Sequence, residues 1–100
     1  MAAIDNETII AEISAHISKQ GGHRSSWYVG IAADIEQRLH GDHGVPKKDH
    51  WFIWREAFSD DDARSIEKEL LEWGCDGGSG GGDRNTRFVY AYLKTSDTEP

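Results

Sequence analysis

Helix-like and strand-like patterns alternate three times along this chain of 100 residues. Apolar residues recur at helical spacing in one kind of segment, whereas aromatic and β-branched residues are concentrated in the other. This alternation predicts an α/β domain in which helices pack on a three-stranded sheet. The predicted helices span about 6–19, 34–40 and 60–73, and the predicted strands span 27–32, 51–58 and 87–94.

The ends of the predicted helices carry typical capping residues. Asp34 and Gln37 form a capping-box pattern, and Ser59 is followed by three aspartates that suit the positive end of a helix dipole. Two glycine-containing segments, 41–49 and 74–83, are predicted to be loops. We expect one domain over residues 1–95 and a polar tail over 96–100.

The chain is acidic, with 18 Asp and Glu against 11 Lys and Arg and a formal net charge of −7. Such a charge opposes loose capture of nucleic acid or of an anionic membrane, so a phosphate-bearing partner would have to meet a local basic patch. The chain shows no secretory signal and no apolar run long enough to span a bilayer. We therefore expect a cytoplasmic protein that makes no membrane contact.

A tyrosine and an arginine lie ten residues apart on two neighbouring predicted elements. Tyr28 belongs to the aromatic and β-branched strand 27–32, and Arg38 belongs to the short helix that follows. The guanidinium group offers planar donors to phosphate and keeps its charge at all relevant pH values. A phenol and a guanidinium held by adjacent rigid elements therefore predict a phosphate-handling pair.

A third charged residue stands out on the last predicted helix. At about 100° per residue, Glu67 falls inside the apolar arc, whereas Glu69 and Glu72 point to the flank or to solvent. The arc consists of Ala63, Ile66, Leu70, Leu71 and Trp73. Burying a carboxylate is costly, so Glu67 is either held for a purpose in a partly desolvated place or paired with a neighbouring lysine or arginine at the rim.

Three short runs together resemble the GIY-YIG nuclease superfamily. They are Tyr-Val-Gly-Ile-Ala at 28–32, Arg-Leu at 38–39 and Ala-Arg-Ser-Ile-Glu at 63–67. In that family a Tyr-Ile/Val-Gly triplet lies on a strand, an arginine follows on the next helix, and a later helix carries a metal-binding glutamate. The positions that match in order and approximate spacing are Tyr28, Gly30, Arg38 and Glu67. The resemblance covers about residues 27–73, half of the chain.

The resemblance implies hydrolysis of DNA phosphodiester bonds with one Mg²⁺ or Mn²⁺ ion. Glu67 would hold the ion, Arg38 would stabilise charge on the phosphoryl oxygens, and Tyr28 would orient or help to deprotonate the attacking water. The ordinary pKa of a phenol is about 10, so Tyr28 would need the metal or a basic neighbour, for which His40, His43 and Lys47 are the candidates. The residues expected at the substrate are Gly30, His40 and Lys47.

One part of the family pattern is missing. The opening Gly-Ile-Tyr strand should precede Tyr28, but that stretch is the end of a helix followed by Gly21 and Gly22. Either the domain has kept the fold and lost a catalytic tyrosine, or the C-terminal strand 87–94 supplies Tyr90 or Tyr92 through a circular permutation. The permutation hypothesis makes Tyr90 catalytic and requires that strand to lie beside Tyr28 rather than at the far edge of the sheet.

Two functions are therefore expected as alternatives. The first is a small metal-dependent endonuclease that acts on DNA. The second is a catalytically inactive domain on the same scaffold, which binds another protein through its acidic surface and glycine loop. The missing tyrosine and the net charge favour the second, whereas retention of Tyr28, Arg38 and Glu67 favours the first.

The remaining patterns are weaker. The cluster of His40, Asp42, His43 and His50 matches no strong zinc spacing, and we interpret its histidines as solvated loop residues. The glycine run at 77–82 is interpreted as a connector, and Cys75 lacks an obvious activating base. The tryptophans are predicted to lie mostly in the core, although an exposed Trp51 or Trp54 could stack on a base.

Overall fold

The computed structural model describes residues 3–20, 23–46, 51–77, 86–95 and 98. It confirms an α/β architecture. The two α-helices are α1 (Asn6–Lys19) and α2 (Asp60–Trp73), and the strands are β1 (Trp27–Ala32), β2 (Phe52–Glu56), β3 (Asp76–Gly77) and β4 (Phe88–Leu93). A 3₁₀ turn, Arg24–Ser26, precedes β1, and a π-helical segment, Gln37–Asp42, lies between β1 and β2.

The four strands form one mixed sheet in the order β2-β4-β1-β3. Strand β4 runs antiparallel to both of its neighbours, and β3 runs parallel to β1. The prediction of three strands was wrong, because β3 lies in a segment predicted to be a loop. With only two residues, which pair with Tyr28 and Val29, β3 is too short to carry a periodic pattern. The rest of the predicted loop, 78–83, lies outside the described residues.

The two α-helices begin and end where their sequence patterns predict. The Asp5 side chain accepts a hydrogen bond from the Thr8 amide at 3.1 Å, and Ser59 Oγ accepts one from the Asp62 amide at 3.1 Å. Both helices pack on one face of the sheet and bury its larger core. The main members of that core are Ile9, Ile13, Ile17, Trp27, Val29, Ile31, Ile66, Leu70 and Val89. Neither helix is long and apolar enough to span a bilayer, and the same holds throughout the described part of the chain.

The other face of the sheet is aromatic. Side chains alternate across a strand, so the even-numbered residues of β1, β2 and β4 share this face. The segment from Ile35 to Val45 packs on it through Leu39 and Val45, which are both buried. This smaller cluster also contains Tyr90 and Tyr92. The face therefore carries a compact set of phenol and imidazole groups beneath a short covering segment.

The tryptophans are less buried than the sequence predicts. Trp27 is fully buried, Trp54 and Trp73 are partly buried, and Trp51 is 50% exposed. The prediction of mostly core tryptophans allowed for an exposed Trp51, and Trp51 immediately precedes β2, the strand at one edge of the sheet. Strand β2 is also shorter than the predicted 51–58, since Ala57 and Phe58 already lead into α2.

Candidate active site

The site is centred on the pairing of β1 with β4. Tyr90 lies opposite Gly30, and Tyr92 lies opposite Tyr28. The Tyr90 ring crosses Gly30 so closely that a methyl group at position 30 would overlap the ring. Gly30 was expected at the substrate, and the structure shows it making room for Tyr90. The C-terminal strand is therefore the direct neighbour of Tyr28 and does not lie at an edge of the sheet.

His43 joins the three tyrosines into one cluster. Its Nε2 lies 2.7 Å from Tyr90 Oη, and its Nδ1 lies 3.1 Å from Tyr92 Oη. The His43 ring centroid is also 4.9 Å from that of Tyr28. His43 is only 8% exposed, so the prediction of a solvated loop histidine was wrong for this residue. Its burial follows from the π-helical segment, whose widened turn directs His43 towards the sheet.

The π-helical segment also explains how Arg38 shares a site with His43. Asp34 caps the start of this region as predicted, with its Oδ1 accepting a hydrogen bond from the Gln37 amide at 3.1 Å. The His43 amide then donates to the Arg38 carbonyl at 3.0 Å, which is the five-residue spacing of a π-helix. In an α-helix, residues five apart would point about 140° away from each other. The widened turn instead brings the two side chains towards one face.

The Arg38 guanidinium reaches the tyrosine cluster. It lies close enough to lower the pKa of Tyr90, and Nη1 donates to the Ile31 carbonyl at 3.4 Å. Its Nε lies 3.2 Å from Asp42 Oδ2, in an ion pair whose side chains are about half exposed, at 46% and 52%. Solvent screens such a pair strongly, so Asp42 holds Arg38 weakly. Arg38 is therefore accessible and within reach of an incoming anion.

Burial raises the pKa of both Tyr90 and Tyr92 above the ordinary phenol value. The neighbouring Tyr28 adds to both shifts, while the hydrogen bond from Arg38 and the charge of Arg38 partly offset the shift of Tyr90. Because a buried phenolate is unfavourable, these two hydroxyls stay protonated unless a partner accepts the proton. His43 is the partner that the geometry provides.

The last candidate residue of the site, Glu67, lies on α2. Its side chain is 8% exposed, and burial raises the pKa of its carboxyl group, with a partial offset from the charge of Arg64. The charge of Glu67 in turn contributes to the raised pKa of Tyr90, so the two groups lie within electrostatic reach of each other. Within the described residues, its carboxylate makes no hydrogen bond and no ion pair. Because the charge of Arg64 acts on this carboxyl group, the alternative of a rim glutamate beside an arginine stays open.

Other candidate residues lie apart from this set. His40 is half-buried, and its Nδ1 donates to the Val45 carbonyl at 2.8 Å while its ring meets Phe52 edge-on at 5.1 Å. His40 was expected at the substrate, and its contacts place it towards β2 rather than in the tyrosine cluster. Lys47, also expected at the substrate, lies outside the described residues, as does His50. The buried Cys75 thiol has its pKa raised to about 11 by burial, which makes it a poor nucleophile.

No protein-family model matches this chain, and no curated protein or solved structure matches it. Its function is therefore inferred from side-chain geometry. Sequence patterns predicted Tyr28, Arg38, Glu67 and Tyr90 as site residues, and they offered His43 both as a candidate basic neighbour of Tyr28 and as a solvated loop histidine. Its contacts with Tyr90 and Tyr92 depend on the π-helical turn. The signal that could have placed His43 beside Arg38 is their five-residue separation in the sequence. Residues at this separation lie on one face of a π-helix but not of an α-helix.

Proposed function

We propose that this domain is a metal-dependent endonuclease of the GIY-YIG type, which hydrolyses phosphodiester bonds in DNA. One observation carries the proposal. A guanidinium and an imidazole from the π-helical segment, a phenol from β4 and a buried carboxylate from α2 meet around Tyr90, so three separate elements supply the site. Two of these groups, the Tyr90 phenol and the Glu67 carboxyl group, have pKa values raised by burial, and such perturbed groups are typical of functional sites.

The position of β4 supports the permuted arrangement. The strand that carries Tyr90 lies antiparallel beside the strand that carries Tyr28, in the register that puts Tyr90 against Gly30. A second phenol is thus available next to the Tyr-Val-Gly triplet without the opening strand of the family pattern. Tyr90 takes the role that this missing strand leaves open.

The donor set fits a hard divalent ion. Glu67 offers carboxylate oxygens that are not engaged by described residues, and carboxylate oxygens are preferred ligands of Mg²⁺ and Mn²⁺. The described ranges contain no group of three or more His, Cys, Asp or Glu side chains suited to a metal. One protein carboxylate suits Mg²⁺, which usually keeps several waters and binds substrate phosphate. The bound ion would polarise the phosphoryl group and help to ionise a water molecule.

The hydrogen bonds define a route for a proton. When the His43 Nδ1–H donates to Tyr92 Oη, Nε2 accepts the hydrogen bond from the Tyr90 hydroxyl. Tyr90 can then receive a proton from water as it passes its own proton to His43. This coupled transfer avoids a buried phenolate, which the raised pKa of Tyr90 disfavours. Tyr28, which stacks near both His43 and Tyr92, fixes the cluster and faces the same site.

Arg38 supplies positive charge to the substrate. A phosphate replaces Asp42 as its anionic partner, and planar guanidinium donors stabilise the charge that grows on the phosphoryl oxygens. Among the residues that the structure describes, Arg38 is the cation that acts on Tyr90, so Arg38 contributes a large share of the attraction for phosphate there.

The test is incubation of the purified protein with plasmid and single-stranded DNA in Mg²⁺ or Mn²⁺. We expect Arg38→Ala and Glu67→Ala each to lower cleavage by about 100-fold or more. The matched controls are Arg55→Ala, whose side chain pairs with Glu12 across the helix-covered face, and Glu69→Ala, which is exposed on the same helix as Glu67. Cleavage that survives both site substitutions would exclude this site.

A groove between the helices favours a second candidate function, the binding of another protein. It has a volume of about 620 Å³ and lies between α1 and α2. Its lining includes the apolar residues Ile10, Leu70 and Trp73 and the acidic residues Glu69 and Glu72. A catalytically inactive domain would use such a surface, and absence of cleavage with either metal would favour this function.

A further inference from the structure

Three aromatic side chains continue the sheet face beyond the tyrosine cluster. We call Phe52, Trp54 and Phe88 the aromatic strip. All three are partly exposed, and they lie on β2 and β4 on the same face as Tyr90. The Trp54 ring meets the Phe88 ring edge-on, with centroids 5.8 Å apart. The Phe52 and Trp54 rings pack against the buried cluster of Tyr90 and Tyr92, and all three rings keep part of their surface in water.

The aromatic strip begins one strand away from Tyr90. Trp54 lies directly opposite Tyr90 in the register of β2 and β4, and neighbouring strands are about 4.8 Å apart. The Tyr90 ring leans in the other direction, across Gly30 on β1. Trp54 packs against the buried cluster that contains Tyr90 and keeps part of its surface exposed. A nucleotide next to a phosphate at Arg38 is within reach of this ring.

The charge of the chain disfavours binding that depends on many phosphate contacts. With a formal net charge of −7, the protein repels duplex DNA, whose affinity for proteins comes largely from phosphate neutralisation. Stacking on an aromatic ring needs no phosphate contact. Glu56, which lies opposite Phe88 on the same face of the sheet, is held 3.8 Å from Arg87, so its charge is partly neutralised.

The exposed edge of β2 is poorly suited to an added peptide strand. The Ile4 amide donates to the Glu56 carbonyl at 2.8 Å, and Arg55 Nη1 donates to the Trp54 carbonyl at 2.7 Å. Two of the outward-facing carbonyls of this edge strand are thus already bonded, which opposes strand addition. A partner would therefore bind the aromatic side chains of β2 rather than its backbone.

From these observations we infer that the aromatic strip stacks an unpaired DNA base beside the scissile phosphate, with Trp54 as its main contact. The substrate is then single-stranded DNA, or the unpaired segment of a branched DNA, in preference to a continuous duplex. This inference rests on the proposed function, because it places the phosphate at Arg38. A paired base cannot stack on Trp54, since its two faces are occupied by its neighbours in the duplex.

The test measures binding separately from cleavage. A fluorescein-labelled single strand of about 20 nucleotides and the matching duplex are titrated by anisotropy with the Glu67→Gln protein in Mg²⁺. We expect the single strand to bind at least about fivefold more tightly than the duplex. Adding Trp54→Leu should weaken single-strand binding by at least about fivefold, whereas Trp54→Phe should retain most of it.

The matched control is Trp51→Leu. Trp51 is the most exposed tryptophan that the structure describes, but it contacts His16 on the helix-covered face, away from Tyr90. We expect it to leave the affinity unchanged. Thermal unfolding of each variant verifies that the fold is kept, and the Trp54→Phe protein keeps the comparison informative where the leucine variant is unstable.

The possible outcomes separate this inference from the proposed function. Cleavage of DNA with duplex preferred, or equal losses from Trp54→Leu and Trp51→Leu, would overturn the inference and leave the nuclease function in place. Trp54-dependent binding of single strands by a protein that cuts no DNA in either metal would support base stacking on Trp54 and reject the nuclease function. RNA of the same sequence, included as a third ligand, determines whether the strip requires deoxyribose.

Discussion

Burial of the Glu67 carboxylate destabilises the folded protein, and the proposed role of Glu67 as a metal ligand explains why it is nevertheless buried. Burial raises the pKa of its carboxyl group above 4.5, so the folded state disfavours the ionised form. Below pH 4.5 the side chain is protonated in both the folded and unfolded states and this penalty is absent. As the pH rises through the folded pKa, the group ionises at a cost and stability falls. A residue retained at such a cost is typical of a functional site.

We therefore predict that Glu67→Gln stabilises the metal-free protein by about 1 kcal/mol near pH 7 and leaves it unchanged near pH 4. Urea unfolding at the two pH values measures this difference. Millimolar Mg²⁺ should stabilise the wild-type protein and not the variant, because only the carboxylate binds the ion. Equal stabilisation of the two proteins by Mg²⁺ would place the ion elsewhere.

Tyr90 and Tyr92 form a matched pair within the same cluster. Both are buried, both hydrogen-bond to His43, and removal of either hydroxyl should cost about 1 kcal/mol of stability. Their proposed roles differ, because Tyr90 passes the proton whereas Tyr92 fixes the orientation of the imidazole. We predict that Tyr90→Phe lowers kcat by about 100-fold or more, and that Tyr92→Phe lowers it by about tenfold. Equal losses of kcat would contradict the proton route.

At the scale of secondary structure, the close pairing of β1 with β4 depends on a glycine. A methyl group at position 30 would overlap the Tyr90 ring, which is held by His43 and cannot move freely. At Gly41 an added methyl would meet only the end of the Gln37 side chain, which is exposed and flexible. We predict that Gly30→Ala destabilises the fold by about 2 kcal/mol and impairs cleavage, whereas Gly41→Ala has little effect on either. Thermal unfolding together with a cleavage assay measures both effects.

The elements that the sequence predicted best are those set by local patterns. Helices α1 and α2 combine a capping side chain with a continuous apolar face, so their bounds follow from nearby residues. The π-helical segment carries a capping box that predicts an ordinary helix, and the wider turn forms because Leu39 and Val45 pack on the sheet. The burial of His43 is a consequence of that packing and is not encoded in its immediate neighbours. Likewise, Asp76 and Gly77 form a strand only because they pair with β1.

At the scale of the whole molecule, the site depends on the last strand of the sequence, β4, lying in the middle of the sheet. Strand β4 follows every other element in sequence, yet it lies between β1 and β2. Tyr90 therefore reaches Arg38, His43 and Glu67 only after the full domain has folded. The spacing of residues in the sequence identified the members of the site on β1 and α2. It left the place of β4 open, because strand order is a long-range property.

The acidic charge of the whole molecule predicts how DNA binding responds to salt. For single strands, the logarithm of the binding constant falls with the logarithm of salt concentration by about 0.7 for each phosphate neutralised. If Arg38 and about one further cation contact phosphate while Trp54 stacks a base, the slope should lie near −1.4. Arg38→Ala should make the slope shallower by about 0.7, and Trp54→Leu should weaken binding without changing the slope. Anisotropy titrations at several salt concentrations measure these values. A slope steeper than about −4 would indicate a broad basic surface, which is incompatible with binding dominated by stacking beside one arginine.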